Sequence, residues 1–234
     1  MLLRYAGLIL AASLATARAG TIDVVVPNAN TSVNGNSFSA SIFGEGSASY
    51  TFQWELAASQ LTSLVGDSLT GIEFRLSSGS ATVNGPTTIG SFGLELSPAV
   101  NPIGSLSTTF ANNIGAGGVV VYSGSLILGT LTGGAGPNPF FLISFSTPYA
   151  YSGGNLVMTE TISGGSSFSV DANAVGDGLG DTVSGLGGPT KAEFFDYPIT
   201  EFQAQTATPE PATFLALAGG LLVLGAISFG RNRG

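Results

Sequence analysis

The sequence predicts an all-β chain, an antiparallel β-sandwich of jelly-roll type, with an apolar segment on either side of it. Three observations carry that expectation. No stretch between Gly20 and Gln205 keeps the 3.6-residue rhythm of an amphipathic helix. Short runs rich in β-branched and aromatic residues recur instead, and clusters of Gly, Ser, Asn and Pro separate them. Several of those runs alternate strictly between apolar and polar residues, as a strand with one buried face must.

The expected strands, in chain order, are Ile22–Val26, Phe38–Phe43, Tyr50–Leu56, Gly71–Ser77, Ser91–Ser97, Gly118–Tyr122, Ser125–Leu128, Phe140–Ser146, Asn155–Ile162, Ser167–Val170, Glu193–Tyr197 and Ile199–Gln205. In the fourth, Ile72, Phe74 and Leu76 should face inward while Glu73 and Arg75 face water. Phe92, Leu94 and Leu96 should do the same against Glu95. Turn chemistry stands at Asn34-Gly35, Asn84-Gly85-Pro86 and Ser152-Gly153-Gly154. A helix is expected in this body only over Ala57–Leu64. About 186 residues are enough to bury one core, and closing two sheets on each other is the common solution for so many strands.

The flanking segments differ in kind. Met1–Tyr5 carries one charge, Arg4, and Ala6–Ala17 is apolar but too short to span a bilayer. Ala17-Arg18-Ala19 then offers small residues at the −3 and −1 positions of a signal-peptidase site, so residues 1–19 are expected to be a cleaved export signal. Near the other end, Ala212–Gly230 has no charged residue and would make a helix of about 28 Å, close to the hydrocarbon thickness of a bilayer. Arg231 and Arg233 follow, a positive stop expected on the cytoplasmic side of the inner membrane. Three parts result: signal peptide 1–19, β-domain 20–205 and terminal segment 206–234.

Charge sharpens this division. The chain carries −8 overall, yet between Gly20 and Thr208 two basic residues face thirteen acidic ones, a net of −11. Nucleic acid is bound largely through Lys and Arg contacts to phosphate, so it is excluded as a partner. The sequence has no His and no Cys. That removes a Ser-His-Asp triad, a cysteine nucleophile, a His- or Cys-ligated zinc and any disulfide.

Directly before the apolar run stands Pro209-Glu210-Pro211-Ala212-Thr213. Two prolines around a glutamate hold the chain extended, the form in which proteases read backbone. The order Pro-Glu-Pro, apolar span, arginines resembles the PEP-CTERM sorting signal of exopolysaccharide-producing bacteria. The resemblance covers Thr208–Gly234; Thr208 replaces a frequent valine, and Asn232 interrupts the basic cluster. It implies processing by exosortase, a membrane transpeptidase-like enzyme, after export and signal-peptidase cleavage. It also implies residence at the cell surface or in an extracellular matrix, in association with exopolysaccharide. A stretch like Phe52-Gln53-Trp54 followed by Gly71-Ile72-Glu73-Phe74-Arg75 is similar to one in several β-domain proteins with this tail.

Sites for chemistry are few. Glu55, Glu73 and Glu95 are the strand-borne carboxylates from which a glycosidase pair, about 5 to 9.5 Å apart, would have to come. Each is expected at an outward, solvated position, so the reading is of a non-enzymatic protein. Asp171, Asn173, Asp177 and Asp181 supply oxygen ligands at short spacing between glycines, a candidate calcium loop. Val175 and Thr182 break the EF-hand pattern, and Asp and Asn beside Gly also suit a metal-free loop. Trp54, the single tryptophan, is the candidate for stacking on a sugar ring in a carbohydrate-binding module; a lone tryptophan in a strand opening Tyr50-Thr51-Phe52 is more often core.

Overall fold

The computed structural model of the protein describes residues 20–39, 43, 49–164, 168–186 and 196–206. Among these it is all-β and every strand pairing is antiparallel. The strands are β1 (Thr21–Val26), β2 (Ser37–Ser39), β3 (Tyr50–Leu56), β4 (Ser68–Arg75), β5 (Thr87–Pro98) and β6 (Val119–Leu128). They continue as β7 (Phe140–Ala150), β8 (Leu156–Ser163), β9 (Val170–Asn173), β10 (Gly180–Leu186), β11 (Tyr197–Pro198) and β12 (Thr200–Gln205). A four-stranded sheet runs β1-β12-β4-β7, a five-stranded sheet β10-β3-β8-β5-β6, and a small sheet β11-β9-β2.

The alternation read from the sequence decides which faces meet. Ile72, Phe74, Phe202 and Ile143 of the four-stranded sheet share one buried cluster with Phe52, Trp54, Leu94, Leu96 and Met158 of the five-stranded sheet. Trp54 and Phe74 touch across it, ring centroids 6.1 Å apart in an edge-on arrangement. Phe43 lies among Phe74, Phe92, Phe141 and Phe168, its ring 4.7 Å from that of Phe168. Edge-to-face and offset ring pairs of this kind add to the stabilisation that burial alone gives.

Four expectations need correcting. Ala57–Leu64 is two short 3-10 turns, Ala58–Gln60 and Thr62–Leu64, rather than a helix. Only Leu61 and Leu64 there are fully buried, a spacing of three, which a 3-10 turn serves and an α-helical stripe does not need. Gly118–Tyr122 and Ser125–Leu128 are one strand, β6, because Gly124 passes through at φ 141° without breaking the pairing to β5. β10 has no counterpart among the expected strands: its sequence GDTVSGL carries few apolar residues, and it pairs along its whole length with β3. Arg75 does not face water. It is 1% exposed on the outer side of β4, its Nε bonded to Asp171 at 2.8 Å, its Nη2 donating to the Val33 carbonyl at 2.5 Å and its guanidinium 4.9 Å from the centre of the Phe140 ring.

Candidate functional site

The five-stranded sheet turns one face to the core and presents the other outward, and that outer face divides in two. Phe52, Trp54, Leu56, Leu94, Met158 and Ile162 point in, so Gln53, Glu55, Gly93, Glu95, Thr159, Thr161, Asp181 and Val183 lie on the outer side. The segment 99–118 between β5 and β6 folds back over the β10-β3-β8 part. Leu106, with Ala99 and Phe110, packs on Val157 and Val183 as a second small apolar cluster.

Beneath this strap most of the polar groups are paired. Asn113 donates to Gln53 Oε1 at 2.8 Å and accepts from Asn101 Nδ2 and the Ser107 amide at 2.7 Å each. Gln53 in turn donates to Thr159 Oγ1 at 2.8 Å and to the Phe110 carbonyl at 3.2 Å. Asp181 accepts the Leu106 amide at 3.3 Å. Glu55 stands directly opposite Asp181 in the register of β3 and β10, and Asn155 donates to its Oε1 at 2.9 Å while Oε2 is buried without a partner. Burial, opposed by the Asn155 bond and reinforced by the Asp181 charge, pushes the Glu55 carboxyl up to about 7.

The β8-β5-β6 part is open. A shallow groove of about 240 Å³ is lined by Gly93, Leu94, Glu95, Val120, Ser123, Thr159 and Thr161. At Gly93 the Thr161 side chain lies over the strand, and a Cβ there would come within 2.5 Å of Thr161 Oγ1. A register shift between β5 and β6 falls here, with Leu94 opposite Tyr122 and Glu95 opposite Val120, so the bulge re-aims β6 along the groove wall. Among the described residues no hydrogen bond engages the side chains of Glu95, Thr161 or Ser123. The site therefore offers one carboxylate, several hydroxyls and bare backbone.

The residues singled out in the sequence do not converge. Trp54 is fully buried between the sheets and cannot stack on a sugar. Glu55 is fully buried under the strap, not solvated, because residues 99–118 cover a face that strand alternation alone assigns to water. Glu73 lies on the outer side of the other sheet, directly opposite Glu201 in the pairing of β4 with β12. Burial, with Asp23 nearby, raises Glu73; burial, with Glu73 and Asp23 and against Arg75, brings Glu201 up to about 7. Glu95 alone lines the groove.

The four candidate calcium ligands are divided as well. Asp171 holds Arg75 and the Gly35 amide, and Asp181 holds two backbone amides in a different sheet. Asn173 donates to Asn30 at 3.0 Å, and Asp177 accepts the Tyr197 hydroxyl at 2.5 Å. Among the described residues no three acidic, His or Cys side chains form a group that could hold a metal ion. Ala17, Ala19, Pro209, Glu210, Pro211, Arg231 and Arg233 lie outside the described residues. Among those described, no helix is long and apolar enough to cross a membrane.

Two features were not singled out from the sequence. Glu160 points into the core with both carboxyl oxygens unpartnered, and burial raises it well above the usual carboxylate range. Its inward position was readable from Met158 and Ile162 on either side of it in β8. The groove was not, since it depends on which part of the sheet the β5–β6 segment leaves uncovered. A scan against protein-family models finds no match, and a search of curated proteins finds no significant match.

Proposed function

We propose that this is an exported, exosortase-processed protein of the bacterial surface or extracellular matrix, non-enzymatic and associated with exopolysaccharide. The observation that carries the reading is the three-part order at residues 209–233: Pro209-Glu210-Pro211, nineteen uncharged residues, then Arg231 and Arg233. Signal peptidase acts after Ala19, the apolar span holds the intermediate in the inner membrane, and exosortase acts at the proline motif. The β-domain between them is a jelly roll. Its strand order supports this: β1-β12-β4-β7 against β3-β8-β5-β6 is the arrangement of eight strands wound as two Greek keys, with β10 added at one edge.

A structural role suits the carboxylates. Glu55 is under cover, Glu73 lies on the other sheet and Glu95 is single in its groove, so no two of them flank one open cleft as glycoside hydrolysis requires. Calcium has no assembled ligand set among the described residues and is not part of the reading. Replacing Pro209-Glu210-Pro211 by three alanines tests the proposal in a host with exosortase. The wild type is expected in the medium or matrix fraction, and the variant is expected to stay with the inner membrane. Equal release of both would overturn it. A carbohydrate-binding module is the second reading, and the open groove with its unpaired hydroxyls favours it over a hydrolase.

A further inference from the structure

We propose that the groove on the outer face of the five-stranded sheet binds a short segment of a neutral polysaccharide. The proposal rests on the matrix reading above for its partner class, and on the groove itself for the site. Three properties select the ligand. The first is hydrogen-bonding capacity: Glu95 accepts, while Ser123 and Thr161 both donate and accept, and none of the three is engaged by another described side chain or backbone group. A polyhydroxylated ring is the chemistry that matches several hydroxyls and one carboxylate on a flat floor.

Charge is the second. Arg75 is the single basic side chain among the described residues, and it is buried in its pair with Asp171 on the other sheet. A uronate or sulfated chain would find no cation in the groove and would meet the Glu95 carboxylate instead. The third is size. About 240 Å³ lies below the roughly 300 Å³ at which pockets for drug-sized ligands begin, so the groove takes one or two rings of a chain that continues beyond it. The absence of a Cβ at Gly93 lets the Thr161 hydroxyl lie across β5 and form part of the groove floor. Thr159 forms the end of the groove nearest the strap, its hydroxyl held by Gln53.

Isothermal titration calorimetry on the full chain, in a detergent without a sugar headgroup, tests the site. The probes are cellohexaose, mannohexaose and xylohexaose, with a mannuronate hexamer as the charged comparison. At least one neutral hexasaccharide is expected to bind in the micromolar to millimolar range, and the mannuronate at least tenfold more weakly. Gly93→Val fills the floor and should weaken binding at least tenfold. Thr161→Val, isosteric and on the exposed side of β8, should weaken it several-fold while leaving the melting temperature unchanged. No heat from any neutral hexasaccharide, binding unchanged in both variants, or mannuronate bound as tightly as the neutral chains would each overturn the proposal. Processing reads out separately: a protein released normally but silent in calorimetry sinks the groove and spares the sorting reading, and the converse result does the opposite.

Discussion

The two parts of the outer face of the five-stranded sheet use similar residues to opposite ends. Gln53, Glu55 and Asp181 lie under residues 99–118, where all their side-chain polar atoms but Glu55 Oε2 are tied to Asn113, to neighbouring side chains or to backbone. Thr161, Glu95 and Ser123, on the next three strands β8, β5 and β6, line the open groove, their side chains without a hydrogen bond from other described residues. A covered polar group must be paired, because leaving it buried and unpaired costs about 1–3 kcal/mol; an uncovered one is satisfied by water until a ligand replaces it. The covered part thus contributes stability and the open part is free to bind. That division gives an ordered set of expectations.

The largest effect should come from the core beneath both parts. Trp54→Ala empties a fully buried site and should destabilise by about 3–5 kcal/mol in denaturant unfolding. Any loss of sugar binding in it should track the fraction unfolded, and a folded variant that has lost binding would put the ligand at Trp54 after all. Next comes the strap. Asn113→Ala strips a donor from buried Gln53 Oε1 and two acceptor contacts from the loop, and should cost about 1–3 kcal/mol. Native-state hydrogen exchange should then show 99–118 opening before the sheet does.

The carboxyls come third. Glu55 rests near 7 in the folded chain against an ordinary 4.5, and Glu201 behaves alike. Both hold their protons more tightly folded than unfolded. Their contribution to stability is therefore full below about pH 4.5 and is lost as pH climbs to about 7. Thermal unfolding should show a higher melting temperature at pH 5 than at pH 8. Glu55→Gln cannot ionise beside Asp181, so it should gain about 1–2 kcal/mol at pH 8, change little at pH 4.5, and flatten the profile. The smallest effects belong to the open part: Ser123→Ala should shift stability by no more than about 0.5 kcal/mol. A larger cost there would mean that the groove wall is structural and the contrast between the two parts is false.

The same contrast explains what was legible in the sequence. Alternation placed Ile72, Phe74 and Leu76, and Phe92, Leu94 and Leu96, inward correctly, since a one-residue slip would turn every one of them outward. It also assigned Glu55 and Arg75 to water, and there it failed. Period-two patterning names a face of a sheet but not what later folds over that face. Residues 99–118 cover Glu55, and β9 brings Asp171 to Arg75 from 96 positions away. β10 stayed hidden for a related reason: a strand poor in apolar residues is held by pairing with β3, a long-range fact with no local signature. The aspartates and asparagine around it read as a metal loop because their actual partners, Arg75, Asn30 and Tyr197, are distant in sequence.

The central claim concerns processing, and the intact mass of the protein recovered from an exosortase-bearing, exopolysaccharide-producing host tests it most directly. The account predicts a species beginning at Gly20 and lacking the apolar run 212–230 with its arginines, while the variant with alanines at 209–211 keeps that run. A wild-type mass that still includes Ala212–Gly234, or a variant trimmed to the same end as the wild type, would contradict it.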